Sequence, residues 1–323
     1  MDLPKITDID VADKRVLVRA DLDVSQKDNY RLEVIIPTLK FLSEKGARII
    51  LLGHRDRPEG KVVEGLRMKP VEEILKKITE GIEFTMLENL RFDPGEESNN
   101  LEFTKRLAQN GEVYINDAFA TSHRDSASIT GLPKLLPHAA GLRFTKEVEN
   151  LSRVLANPRR PVVFIVGGSK KDKLDYIEHL KKIADKILVG GRLPEYMGDE
   201  AITSVGLRAE NEKIIIGNLM QDKEDITIHS IERFEEEIKK AGTIVLAGPM
   251  GRYEEEGHRQ GTERIFKAVS ESSAYKVTGG GDSLIVVQMY KLSDKFDWVS
   301  VGGGAMLEFL AKGTLPGIEA LLH

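Results

Sequence analysis

Three lysines crowd a glycine turn in the second half of the chain, where Gly167, Gly168, Ser169, Lys170, Lys171, Asp172 and Lys173 follow the apolar run VVFIV at residues 162–166. A phosphoryl group in transit spreads negative charge over three equatorial oxygens, and it calls for cations and positioned N–H donors more than for an acid and a base. Glycine at the carboxyl end of a strand lets the backbone come close to such a group, while a following helix aims its N–H groups at it. Glycines also cluster at residues 190–191, 279–281 and 302–304. Any one cluster is more often a plain tight turn, but four in one half of a chain favour an edge that binds phosphates. Asp282 and Ser283 follow Gly280 and Gly281. The Asp282 carboxylate suits a magnesium ion beside phosphate oxygens, or equally a helix N-cap. No segment matches GxxxxGK[ST] or a strand-initiated GxGxxG, which excludes a P-loop and a dinucleotide fingerprint.

The first half carries a different set. Arg31, His54, Arg57, Arg91, His123 and Arg124 stand mostly beside turn residues, and GHRDRP at 53–58 and NDAFATSHR at 116–124 each follow an apolar run. A single surface arginine usually serves solubility. Several such loops on one sheet edge suit a small anionic substrate, because guanidinium pairs bidentately with carboxylate and phosphate.

Short β-branched runs at 16–19, 48–52, 113–115, 162–166, 187–189, 214–216, 243–246 and 275–278 must carry these loops. They alternate with stretches of helical spacing at 38–44, 71–78, 101–107, 231–239 and 263–269. That alternation predicts parallel sheets covered by helices. At 323 residues the chain exceeds one efficient core, so the expected fold is α/β: two Rossmann-like parallel-sheet domains with flanking helices, joined by a hinge helix around a cleft. The boundary falls between Phe144 and Pro161, where Pro158 and Pro161 forbid the helix to continue. A net charge of -5 argues against a nucleic-acid surface. The absence of cysteine removes disulfides and thiolate chemistry. With no basic, apolar leader and no run of about 18 apolar residues, the chain reads as soluble and cytoplasmic, without a membrane partner.

These motifs resemble phosphoglycerate kinase from Lys14 to Leu321 in one consistent order. VLVRADLDV at 16–24, Arg31 with Pro37 and Thr38, GHRDRP, LENLRFDPGEE at 87–97 and NDAFATSHR carry the likeness in the first half; RPVVFIVGGSKKDK at 160–173, GPMG at 248–251, GGGDS at 279–283 and GGGAMLEFL at 302–310 carry it in the second. The resemblance implies a monomeric, magnesium-dependent enzyme of glycolysis and gluconeogenesis that moves a phosphoryl group between 1,3-bisphosphoglycerate with ADP and 3-phosphoglycerate with ATP. It implies a substrate domain at 1–145, joined by the segment 312–323, and a nucleotide domain at 146–311 that includes the hinge helix. Asp21, Asp23, Arg31, His54, Arg57, Arg124 and Arg160 would hold the glycerate. Gly168, Ser169, Lys170, Lys173, Glu254, Gly280, Gly281, Asp282 and Ser283 would hold the nucleotide, with Asp282 on the metal. Arg31, Lys170 and Lys173 would serve the transfer itself.

The chain also departs from the family. Asp23 replaces an asparagine, which sets a carboxylate beside an anionic substrate unless Arg19 or another cation pairs with it. Ala247 replaces the asparagine before GPMG, and Arg192 replaces a glycine on the adenine side, where it would obstruct the base or stack on it. The turn at 167–173 is one residue short, and the adenine-side region at 195–229 is abbreviated. Three readings remain at this point: an active phosphoglycerate kinase, a weak or inactive phosphoglycerate-binding paralogue, and a kinase of the same fold with an altered substrate.

Overall fold

The run at 16–18 is fully buried, as happens when helices cover both faces of a sheet. It forms the centre of strand β1 (Arg15–Arg19), which pairs in parallel with β2 (Arg48–Leu52) on one side and β4 (Val113–Asn116) on the other. With β3 (Phe84–Met86) and β5 (His138–Ala140) the first sheet has the order β3-β2-β1-β4-β5, parallel throughout. The second sheet contains β6 (Val162–Val166), β7 (Lys186–Val189), β8 (Ile214–Ile216), β9 (Thr243–Ala247), β10 (Tyr275–Gly279) and β11 (Trp298–Ser300). Its order is β11-β10-β9-β6-β7-β8, again all parallel. The computed structural model describes residues 2–24, 29–197 and 213–323.

Strand order reverses between β1 and β4 in the first sheet and between β6 and β9 in the second. Chain connections leave in opposite directions from such a point, which opens a crevice beyond the carboxyl ends of the two strands. The fold thus marks one ligand position per sheet before any side chain is considered.

Two compact units result: residues 1–149 with 314–323, and residues 150–313. The division falls inside one helix, Leu142–Ala156, which ends just before Pro158. In the first unit Leu39, Leu42, Val71 and Leu75 bring two helices onto Val16, Val18, Ile49 and Leu51. In the second, the helices Ile228–Lys240 and Gln260–Glu271 touch each other and bury Phe234, Ile238, Ile265, Phe266 and Val269. The segment after Gly313 returns to the first unit, where the helix Pro316–Leu322 buries Ile318 and Leu321 and the Gly317 N–H bonds the Ser122 carbonyl at 2.9 Å. Among the described residues no helix is long and apolar enough to cross a membrane.

The eight strand-like runs all form strands, to within a residue at their ends. Three further strands, β3, β5 and β11, escaped the sequence pattern. Each has three residues and lies at a sheet edge, where pairing on one side only demands less apolar surface.

The first turn of the helix Leu142–Ala156 is anchored to the helix Ile36–Glu44 and to the loop after β4. Leu142 N–H bonds Thr38 Oγ1 and Phe144 N–H bonds Asp117 Oδ1, both at 3.0 Å. Asp117 is buried, and its second oxygen has no hydrogen-bond partner among the described residues. Burial pushes its pKa up to about 6, against the pull of the Thr38 and Phe144 hydrogen bonds. Between the usual 3.8 and about 6 the unfolded chain releases this proton and the folded one keeps it, so stability falls as pH rises through that window. Asp117→Asn should remove this slope and raise the melting temperature at pH 7, as thermal unfolding followed across pH will show.

Candidate active site

At the switch point of the first unit, Arg19 ends β1 with 1% of its surface exposed. Its Nη2 donates to His54 Nδ1 at 2.8 Å, its Nε to Ser128 Oγ at 2.8 Å and its Nη1 to the Ala20 carbonyl at 2.6 Å. Ser128 donates in turn to the buried Glu96 carboxylate through both hydroxyl and amide, which places a counter-charge behind the arginine. A guanidinium can only donate, so His54 Nδ1 accepts and the imidazole proton resides on Nε2. Burial first, then the charges of Arg19, Arg91, Arg124 and Arg31, hold the His54 pKa well below 6.5. At neutral pH it is an uncharged donor.

Arg19, His54, Arg91, Thr121 and Arg124 line a cavity of about 280 Å³, with Glu97 and Asp125 also at its wall. Arg91 is buried, tied to the Asp56 carbonyl at 2.7 Å and to Glu97 at 3.2 Å. Arg31 gives Nη1 to the Asp23 carbonyl at 2.8 Å, while its buried Nε–H has no partner among the described residues. Asp21 is buried and accepts from Ala120 N–H at 2.9 Å and from Thr121. Burial raises its pKa, and Arg31 is the strongest of the charges that oppose the rise. Arg57 is exposed, and only its backbone N–H is engaged, by Asp56.

Asp23 does not pair with Arg19, which His54 and Ser128 occupy. Its Oδ1 accepts from Asp56 N–H at 3.0 Å, and its Oδ2 lies 4.0 Å from His54 Nε2. Arg160 stands apart from the other residues assigned to the glycerate. It belongs to the second unit, before the first residue of β6 and hence at the strand end opposite the glycine turn, and its guanidinium bonds both oxygens of Asp185 at 2.7 Å. So paired, at the Pro161 corner of its own sheet, Arg160 gains no support from its contacts for a place on the glycerate.

In the second unit three turns meet at the β6/β9 switch point. Gly168 N–H bonds the Pro249 carbonyl, and Arg192 N–H bonds the Gly168 carbonyl. Glycine is required here by crowding: a Cβ at Gly191 would stand 2.4 Å from Gly168 N, and one at Gly248 2.5 Å from the Gly167 carbonyl, both at positive φ. Lys173 reaches back to this knot and donates to the carbonyls of Gly167 at 2.7 Å and Ala247 at 3.1 Å. Burial, aided by Lys170, lowers its pKa to about 8 against the opposing charges of Asp282 and Asp172. Ser169, Lys170, Glu254 and Asp282 are exposed. Asp282 lies in the first turn of the helix Gly281–Met289, with Gly280 as its N-cap. Ser283 is buried and accepts from Gly248 N–H at 2.9 Å, which braces two of the turns. Arg192 bonds Glu195, and Lys223 shares that carboxylate. Of the abbreviated region at 195–229, residues 198–212 lie outside the described residues.

Arg19 was the main omission from the sequence-derived set. Its signal was an arginine ending a run otherwise buried on both faces; Glu96 and Ser128, which balance it, gave none.

Parallel sheets with anion-fitted switch points, one lined by arginines and the other by glycine and lysine, define an α/β kinase. The chain belongs to the phosphoglycerate kinase family, whose model matches residues 6–223 and 199–313, and it is an enzyme with that family's activity. Phosphoglycerate kinase of Leptospira biflexa is 36% identical over an alignment of 391 positions that covers 100% of this chain and 99% of the relative. That of Dictyoglomus turgidum is 34% identical, covering 98% and 97%. The alignments are longer than this 323-residue chain, so the relatives contain segments it lacks. Among solved structures, phosphoglycerate kinase from Coxiella burnetii superposes with a TM-score of 0.81 at 29% identity, covering 99% of both chains. The enzyme from Pyrococcus horikoshii superposes with 0.85 at 26%, covering 99% of this chain and 98% of its own.

Protonating His54 adds a positive charge among four arginines. The folded chain therefore binds fewer protons than the unfolded one below pH 6.5, and acidification favours unfolding. Urea unfolding should show stability falling as pH drops from 6.5, and His54→Gln should reduce that fall.

Proposed function

We propose that the protein catalyses the magnesium-dependent, reversible transfer of a phosphoryl group between 1,3-bisphosphoglycerate with ADP and 3-phosphoglycerate with ATP, as a cytoplasmic monomer in glycolysis and gluconeogenesis. The observation that carries the substrate assignment is the arginine-lined cavity of the first unit with its neutral histidine, and beside it stands the Arg31 Nε–H, buried and without a partner among the described residues. Its volume suits a small anion, and guanidinium groups recognise carboxylate and phosphate alike. The glycerate is assigned to Asp21, Asp23, Arg31, His54, Arg57 and Arg124, with Arg19 and Arg91 added. The nucleotide phosphates are assigned to the Gly168, Ser169, Lys170 and Lys173 turn, to Gly280 and Gly281, and to Glu254. Ser283 supports these turns from beneath.

Magnesium commonly binds one or two carboxylates together with substrate phosphates and water. An exposed carboxylate in the first turn of a helix, near Lys173, fits that demand, so Asp282 is the residue that would hold it. The ion would neutralise phosphate charge. Arg31 and Lys173 supply the fixed positive charge that an in-line transfer needs.

In a coupled assay with 3-phosphoglycerate, ATP and magnesium, Arg31→Ala and Lys173→Ala should each lower kcat by about 100-fold or more. Unchanged turnover in either variant would remove that residue from the mechanism. Lys173 loses its proton near pH 8 in the free protein, so ADP affinity should weaken as pH rises through that value. Calorimetric titration of Lys173→Met should show weaker binding without the alkaline limb.

A further inference from the structure

Arg31 sits on a helix of only four residues, Tyr30–Glu33, too short to hold its own geometry. Leu32, fully buried, pins one side. The other side is gripped from the helix Leu142–Ala156. The Arg143 guanidinium lies over the Tyr30 ring, 5.9 Å from its centre, and also hydrogen-bonds the Tyr30 hydroxyl. From its opposite edge, Nε and Nη2 of Arg143 donate to Glu147 Oε1 at 3.1 and 2.8 Å. Arg143 is 9% exposed and Glu147 0%.

These contacts form a continuous path. Thr38, in the helix Ile36–Glu44, and Asp117, just after β4, fix the first turn of the long helix, that helix fixes Arg143 and Glu147, and Arg143 fixes Tyr30, the neighbour of Arg31. Among the described residues the Arg31 side chain makes one hydrogen bond, to the Asp23 carbonyl, and its buried Nε–H is left for a ligand. Its direction must therefore come from the backbone beneath it. Glu147 also acts electrostatically on Asp21, raising its pKa.

A buried ion pair is a weak device for stability, since apolar side chains of equal volume often hold two elements together as well or better. A planar guanidinium clasped between a carboxylate and a phenol is better suited to fixing direction. We propose that the buried Arg143–Glu147 pair, acting through Tyr30, positions Arg31 for phosphoryl transfer. Arg143 is then a positioning residue, and its role rests on the assignment of Arg31 made above.

Arg143→Met alone would leave Glu147 charged and unpaired in the interior, with a risk of misfolding. The informative protein is Arg143→Met combined with Glu147→Gln, alongside Tyr30→Phe, each made with Arg31 intact and with Arg31→Lys. With Arg31 intact, the combined variant should keep a cooperative thermal transition and lose about tenfold in kcat while KM for 3-phosphoglycerate changes little; Tyr30→Phe should lose less. With Arg31→Lys neither change should lower kcat further, because the group whose direction they set has gone. Losses that multiply equally in both backgrounds, or an unchanged kcat with only a lower melting temperature, would overturn the proposal. Wild-type turnover in Arg31→Lys would instead overturn the assignment of Arg31. Exchange of the Arg31 Nε–H with water, followed by NMR, supplies a reading that needs no turnover and decides the matter if Arg31→Lys is too slow to compare. It should accelerate clearly in the combined variant, and an unchanged rate would sink the idea.

Discussion

Positive charge gathered where water scarcely reaches is the constraint on which the first unit is built. Arg19, Arg31, Arg91 and Arg124 all act on His54, and charges so placed repel more strongly than they would in solvent. The fold manages this by giving each buried guanidinium an oxygen to lean on: Ser128 with Glu96 behind it for Arg19, Glu97 and the Asp56 carbonyl for Arg91, the Asp23 carbonyl for Arg31. It also keeps His54 neutral. On the function proposed above, an arriving anion relieves the remaining repulsion, and that relief is part of what binds it.

The second unit solves another problem, that of bringing backbone against backbone. Gly167, Gly191 and Gly248 leave no room for a Cβ, and Lys173 is laid across the carbonyls of Gly167 and Ala247. Ala247, an apparent loss when only side chains are compared, still contributes through its carbonyl. Arg192 is engaged by Glu195, one turn along its own segment. The two substitutions that seemed to weaken a nucleotide site therefore alter its edges and leave the glycine knot in place.

Much of this was legible in the sequence because parallel strands buried on both faces must be written as unbroken apolar runs, and tight turns beside them must be written with glycine. The short edge strands at Phe84–Met86, His138–Ala140 and Trp298–Ser300 were not legible, since unlike the all-isoleucine edge strand Ile214–Ile216 they mix polar or small residues into three positions and show no apolar run. Side-chain pairing was the hardest to read. The family resemblance put Arg160 on the glycerate and it is held by Asp185; Arg19 looked like a spare partner for Asp23 and is held by His54 and Ser128. Residues 25 and 109 positions distant in the chain decided those two cases, and spacing along a strand says nothing about them.

The helix Pro316–Leu322 has a consequence for how the molecule comes into being. It belongs to the first unit, where Gly317 bonds Ser122 in the loop after β4, yet the ribosome makes it only after the whole of the second unit. While residues 150–313 are being synthesised, the loop that carries His123 and Arg124 must wait with Ser122, Ile129 and the surface around them uncovered. Domains generally mature in order of synthesis; here the earlier one is sealed by a late arrival, and the loop that carries Thr121 and Arg124 gains its last support only once translation has passed the other sheet.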